Sequence, residues 1–235
     1  MSEQTAVEAG MVTVDRRKLL EFFDEAPVES DGHSNAIVAV AGEELALALL
    51  VDYLDSIGEK AELLTAICTQ GRKRGYRLDG WVETESVLYQ VEVKNWSAHS
   101  FGGKRLTSDL STQEVADFRK ERWGEVWNGS LVDCTAAKVL RRMKPPHRGK
   151  PIEPLVVFWM AMHPLGEPSP FFQTPVEGKA FDRLNVFSMS NYLRGLPQDT
   201  LELHLPKTRS RLLWLAALFG CGALAGTTGL AESSN

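Results

Sequence analysis

The chain has 235 residues, of which 43% are hydrophobic and 24% are charged, so it can bury a substantial core and wholesale disorder is excluded. Its formal net charge of −5 argues against a protein that coats nucleic acid through overall basicity, while leaving room for a local basic groove. The cysteines at 68, 134 and 221 are widely spaced and the first residues are polar and acidic, so we expect free thiols, no secretory signal and a cytoplasmic location.

The first part of the chain is predicted to contain two helices and a strand. Residues 15–25 form an amphipathic helix with leucine and phenylalanine as its packing residues, and residues 27–35 form a polar loop. Residues 42–57 are the strongest predicted helix, which ends before Gly58. Residues 61–68 are predicted as a strand that leads into a basic turn.

A β-hairpin is predicted next. Residues 76–83 and 87–94 are rich in β-branched and aromatic side chains, and a short polar turn separates them. Antiparallel pairing about this turn places Asp79 opposite Val91 or Glu92. The first acid of the hairpin is therefore expected beside the second strand.

The second hairpin strand carries charged and apolar residues in alternation. Glu92 and Lys94 point to one side, while Val91 and Val93 point into the core. Cross-strand neighbours lie about 5 Å apart, so Asp79 can meet Glu92 and Lys94. Two carboxylates at that separation repel each other unless a cation lies between them, and this predicts a divalent metal site.

The remaining elements complete an α/β pattern. Residues 152–162 form a continuous apolar run, as expected for a central strand covered on both faces. The other predicted elements are a loop at 95–105, helices at 108–127 and 131–142, a strand at 183–189, a short helix at 190–194 and an edge strand or extended link at 201–205. A helix, a hairpin, further helices and returning strands predict an α/β sandwich on a mixed sheet.

The C-terminal segment is uncharged over residues 212–230 and follows Lys207, Arg209 and Arg211. It has about the minimum length for a membrane span, but glycine and threonine dilute its second half. We therefore predict a buried helix over residues 208–219 followed by a small-residue tail. A membrane anchor is the alternative.

Two acids begin the helix predicted at 42–57. Glu43 shares its helical stripe with apolar residues, whereas Glu44 lies on a more polar stripe. A carboxylate on a buried stripe needs a partner, which favours Glu43 as the inward-facing acid. The alternative is that both acids only interact favourably with the helix dipole.

Asp79 followed by Glu92-Val93-Lys94 resembles the PD-(D/E)XK nuclease superfamily, whose pattern is an acid, a gap of about one hairpin and then acid-x-Lys on the next strand. Leu78 occupies the position of the motif's proline, and Glu43 or Glu44 fits the glutamate that the family usually carries on the preceding helix. The resemblance covers about residues 36–200 and implies a restriction-endonuclease-like αβα sandwich around a central mixed β-sheet. A solvated, charged strand face is the alternative.

The resemblance also implies in-line hydrolysis of a phosphodiester. Asp79, Glu92, Glu43 and the backbone carbonyl of Val93 would bind Mg²⁺, or Mn²⁺, as one ion or two, because these cations prefer oxygen ligands. Lys94 would orient or deprotonate the attacking water, or stabilise charge on the phosphate. These side chains form the predicted catalytic set.

Nucleic-acid contacts are predicted from two basic stretches. Residues 138–150 carry several cations and no acid, so this run can neutralise phosphates; a solvated helix end is the alternative. The predicted nucleic-acid-binding residues are Lys104, Arg105, Arg141, Arg142, Lys144 and Arg148.

The sequence therefore predicts a Mg²⁺-dependent DNA endonuclease of a bacterial restriction or anti-phage system, working as a homo-oligomer or with a regulatory partner protein. It is expected to comprise an N-terminal extension (1–35), a nuclease-like core (36–206) and a C-terminal helix and tail (207–235). The alternatives are a catalytically inactive module of the same fold, for nucleic-acid binding or complex assembly, and a membrane-tethered effector.

Overall fold

A computed structural model of the chain describes residues 10–24, 37, 39–64, 79–94, 100–101, 104–105, 111, 113–114, 117, 149–159, 163, 167–175 and 183–220. The elements in chain order are β1 (Met11–Asp15), α1 (Arg16–Asp24), α2 (Gly42–Ser56), β2 (Glu62–Leu63), β3 (Gly80–Glu83), β4 (Leu88–Lys94), β5 (Ser100–Phe101), β6 (Lys104–Arg105), β7 (Ile152–Phe158), β8 (Phe171–Pro175), β9 (Arg183–Ser188), α3 (Met189–Gly195), β10 (Thr200–His204) and α4 (Pro206–Phe219).

The centre of the fold is a six-stranded mixed sheet with the order β2-β3-β4-β7-β9-β8. Strands β2, β3 and β4 are antiparallel neighbours, β7 and β9 run parallel to β4, and β8 pairs antiparallel with β9 at the edge. The predicted α/β class with a central mixed sheet is thereby confirmed. The central position predicted for the 152–162 run is also confirmed, because β7 lies between β4 and β9 and is buried from Glu153 to Phe158.

Helix α2 packs against the face of the sheet that carries the valines of the hairpin. Leu45, Leu49 and Leu50 of α2 are almost fully buried in one cluster with Val91 and Val157. The opposite face of the sheet is buried as well. Its buried side chains include Trp81, Gln90, Val156, Phe158 and Val186. Burial on both faces explains why β7 reads as a continuous apolar run rather than an alternating one.

The helices predicted at 15–25, 42–57 and 190–194 are found as α1, α2 and α3. Strands β1, β5, β6 and β8 were not predicted, and the short strands β5 and β6 lie in the segment 95–105 that was predicted as a loop. β1 pairs antiparallel with β10, which makes the segment at 201–205 a true strand in a separate two-stranded sheet. This pairing could not be predicted from local sequence, because the two strands lie almost 190 residues apart.

The C-terminal helix forms, but the prediction that it is buried is wrong. Thr208 is its one buried residue, whereas Leu213, Trp214 and Leu218 are 45%, 65% and 58% exposed. The first turns of α4 lie against the start of α2 and the last turns extend beyond it. In the part of the chain that the structure describes, no helix has the length and apolarity needed to cross a membrane.

Several predictions fall on residues outside the described ranges. They concern most of the two helices at 108–127 and 131–142, the second half of the strand at 61–68 and all the cysteines. The three-segment division of the chain stays a prediction. Leu19 of the N-terminal segment does lie in the same buried cluster as Leu45 and Val91.

Candidate functional site

The register of the hairpin brings the predicted acids to the same level. Gly80 pairs with Val91, so the preceding residue, Asp79, falls level with Glu92. Val91 and Val93 are 0% and 7% exposed, while Glu92 and Lys94 are half-buried on the other face. The predicted alternation and the predicted convergence of Asp79 with Glu92 are both found.

Asp79 directly precedes β3 and interacts with the backbone of β4. Its Oδ2 atom accepts a hydrogen bond of 2.6 Å from the N–H of Val93. In a strand the N–H and C=O of one residue point to the same side, so the carbonyl of Val93 faces the same edge as Asp79. This carbonyl therefore lies on the side where it was predicted to serve as a ligand.

The electrostatics of Asp79 are those of a carboxyl group held among other carboxylates. The pKa of Asp79 is raised from 3.8 to about 7, mainly by burial and to a smaller extent by the charges of Glu92 and Glu43, while the hydrogen bond from Val93 lowers it. Glu43 therefore lies close enough to Asp79 for the two carboxyl groups to interact. Below about pH 7 Asp79 is protonated, which removes one negative charge from the cluster.

The two glutamates at the start of α2 have different partners. Glu43 contacts Asp79. Glu44 turns to α4 instead, where its carboxylate accepts hydrogen bonds from the N–H groups of Lys207 and Thr208, at 3.0 and 2.6 Å, and from the hydroxyl of Thr208. Glu43 is therefore the helix acid of the cluster, and Glu44 caps the C-terminal helix.

Lys94 completes the cluster. Its ammonium Nζ lies 2.7 Å from Oε1 of Glu92, and the two side chains are 25% and 23% exposed. Because they are two residues apart on one strand, they share a face and can pair without distortion. Lys94 thus pairs with one acid of the cluster, Glu92.

The cluster fits a hard cation by the type of its donors. It offers the carboxylates of Asp79, Glu92 and Glu43 and the carbonyl of Val93, which are the oxygen donors that Mg²⁺ prefers. In the present side-chain arrangement, however, the described residues contain no group of three His, Cys, Asp or Glu side chains that could hold a metal ion. Lys94 and the Val93 N–H already engage Glu92 and Asp79, so metal binding would require these side chains to regroup.

The predicted nucleic-acid contacts are only partly covered by the structure. Lys104 and Arg105 form β6, which begins ten residues after the end of β4 and pairs with β5. Arg141, Arg142, Lys144 and Arg148 lie outside the described residues. Whether these cations border the acidic cluster stays a prediction.

Sequence reasoning missed a buried polar pair beside the cluster. Gln90 lies two residues before Glu92 on the same face, pairs across the strands with Trp81, and is 0% exposed. Within the described part of the chain neither the amide of Gln90 nor Nε1 of Trp81 has a hydrogen-bond partner. The alternation that placed Glu92 and Lys94 would have placed Gln90 on their face as well.

The cap that Glu44 provides has a measurable consequence. Glu44→Ala should lower the free energy of unfolding by about 1–2 kcal/mol, because the first N–H groups of α4 lose their acceptor. Urea denaturation measures this. Lys18→Ala is a suitable control because Lys18 is 80% exposed and its contact with Asp15 is 3.8 Å long. Equal stabilities for Glu44→Ala and this control would show that the cap is not stabilising.

Comparisons of the chain with protein-family models, with curated proteins and with solved structures gave no match.

Proposed function

We propose that this chain is a metal-dependent endonuclease of the PD-(D/E)XK type that hydrolyses phosphodiester bonds of DNA. The observation that carries the proposal is the hairpin register, which brings half-buried Asp79 level with Glu92 and beside Glu43; the pKa of Asp79 is raised accordingly. Such a group of acids is costly to assemble unless a cation binds there. Lys94 beside the acids adds the residue that this chemistry requires.

The arrangement of elements supports the same proposal. An acid on a helix, Glu43, meets an acid at the start of a hairpin, Asp79, and an acid-x-Lys pair on the next strand. The returning strand β7 then lies parallel to β4. The restriction-endonuclease-like αβα sandwich is the specific fold that we propose for this helix, hairpin and mixed sheet.

Each residue of the cluster would have a separate task. Asp79, Glu92, Glu43 and the Val93 carbonyl would hold Mg²⁺, which supplies charge neutralisation at the scissile phosphate. Asp79 must first lose its proton, so activity should rise as the pH passes 7. Lys94, released from Glu92, would bind a phosphate oxygen or orient the attacking water.

The setting of the activity is part of the proposal. We place the enzyme in the cytoplasm of a bacterium, in a restriction or anti-phage system, where a second copy or a regulatory protein controls it. The basic residues Lys104, Arg105, Arg141, Arg142, Lys144 and Arg148 would bind the DNA backbone, which makes binding sensitive to salt.

A second candidate function is favoured by the ion pair of Lys94 with Glu92. At 2.7 Å this pair neutralises one acid of the cluster without a metal. A module that keeps the fold and only binds nucleic acid, or assembles a complex, would tolerate such a pair. Binding without cleavage distinguishes it from the enzyme.

The test is incubation of the protein with plasmid DNA, linear DNA and RNA, in Mg²⁺, Mn²⁺ or EDTA. We expect DNA cleavage with either metal and none in EDTA. DNA cleavage that persists in EDTA would contradict the metal-dependent mechanism. DNA binding without cleavage in every metal would identify the non-catalytic module.

A further inference from the structure

The C-terminal helix α4 exposes an apolar end. Apart from Ile57, all the exposed large hydrophobic side chains of the described residues lie in its last two turns. Leu213, Trp214 and Leu218 are 45%, 65% and 58% exposed there. Exposed apolar residues gathered at one place mark an interaction surface, whereas isolated ones need no explanation.

The first turns of the same helix are held firmly by the body of the protein. Thr208 is buried and its hydroxyl donates to Glu44, while Arg211 donates a hydrogen bond of 2.7 Å to the carbonyl of Val40. The apolar end therefore projects in a fixed direction from the start of α2. It does not pack onto the sheet, since both faces of the sheet are already buried.

Charge and apolar surface are separated along the axis of α4. Lys207, Arg209 and Arg211 precede the apolar turns, and the helix contains no acid, although the net charge of the chain is −5. The intervals from Lys207 to Arg211, Trp214 and Leu218 are four, seven and eleven residues, so these four side chains form one stripe of the helix. Lys207 and Arg211 therefore lie on the same side of the helix as the exposed tryptophan and leucine, nearer to its N-terminus.

We propose that α4 attaches the protein to the surface of an anionic lipid bilayer. Trp214 and Leu218 would enter the boundary between headgroups and acyl chains, where tryptophan is favoured. Lys207 would contact the anionic headgroups, and Arg211, held at Val40, would add positive charge beside them. A second copy of the chain fits less well, because it would bring the same cations against this stripe. The sequence supports insertion, since it stays uncharged from Leu212 to Leu230. This inference is independent of the proposed nuclease activity.

The test is flotation of the full chain with phosphatidylcholine vesicles, prepared with and without phosphatidylglycerol. We expect the protein to float with the anionic vesicles and to be released by high salt. The double variant Trp214→Ser/Leu218→Ser should bind at least about tenfold less tightly, because two large apolar side chains no longer enter the lipid. Lys207→Gln should weaken binding by about fivefold.

A matched control is Ile57→Ser, which removes an exposed apolar side chain (55% exposed) from the end of α2. It should bind vesicles as the unmodified chain does. Failure of the unmodified chain to float with anionic vesicles overturns the proposal. So does equal binding by the double variant. A third outcome is that the unmodified chain does not bind vesicles but dimerises in sedimentation velocity, while the double variant is a monomer. In that case a second copy of the chain occupies the surface and the lipid proposal is wrong.

Discussion

Lys94→Met is expected to lower the rate of DNA cleavage by about 10²–10⁴-fold, the usual contribution of one residue that positions or activates a nucleophile. The ammonium group of Lys94 lies 2.7 Å from Glu92 and close to the acids that would hold the metal. Methionine keeps the length of the side chain and removes its charge. The rate should be measured in single-turnover reactions at saturating Mg²⁺, so that binding and product release do not limit it.

Lys150→Met is the matched control for this substitution. Lys150 is 27% exposed, against 25% for Lys94, and forms an ion pair of 3.1 Å with Glu83 at the far end of β3. Both substitutions therefore remove the lysine from a half-buried ion pair with a glutamate of the hairpin, although Lys150 itself lies just before β7. Lys150 ends the basic run 138–150, so the protein is kept in saturating excess over DNA and a weaker phosphate contact does not limit the rate. Under these conditions we expect Lys150→Met to cleave DNA at nearly the unmodified rate. Equal rates for Lys94→Met and Lys150→Met would remove Lys94 from the mechanism.

Asp79→Asn is expected to stabilise the metal-free protein by about 2–4 kcal/mol at pH 8 and to have little effect near pH 4. The pKa of Asp79 is raised from 3.8 to about 7 in the folded protein, so the folded state binds this proton more tightly than the unfolded state. The stabilisation is complete below about pH 4 and is lost as the pH rises through 7. Asparagine is never charged, can still accept from Val93, and can donate to Glu43.

The measurement is urea denaturation of both proteins in EDTA at several values of pH between 4 and 8. The difference between their unfolding free energies should grow with pH up to about 7 and then level off. Asp55→Asn is the control, because Asp55 also accepts a backbone N–H, that of Ala61 at 2.9 Å, but is exposed. A difference in unfolding free energy between Asp79→Asn and the unmodified protein that does not change with pH would show that the pKa of Asp79 is not raised by folding.

The effect of Mg²⁺ on the unfolding free energy can be measured for the same two proteins. A cation that binds the cluster offsets the repulsion between the ionised acids, so it should stabilise the unmodified protein at pH 8 by about 1–3 kcal/mol when its concentration is well above its dissociation constant. Asp79→Asn should gain much less, because it has lost one carboxylate ligand. Equal stabilisation of the two proteins would mean that Mg²⁺ binds elsewhere.

Local sequence determined much of the hairpin and of the helix before it. Alternation alone places Val91 and Val93 in the core and Glu92 and Lys94 on the other face. The periodic apolar positions and Gly58 set the extent of α2. These features depend on neighbours within one turn or one strand, so they can be read from adjacent residues.

The partners of the acids and the surroundings of the C-terminal helix were decided by tertiary structure. Glu43 and Glu44 are adjacent, yet one meets Asp79 and the other caps a helix 163 residues away. The apolar composition of α4 predicted burial, but its end extends past the elements that could cover it. Composition sets the free energy gained if a side chain is covered, and only the path of the whole chain determines whether anything lies against it.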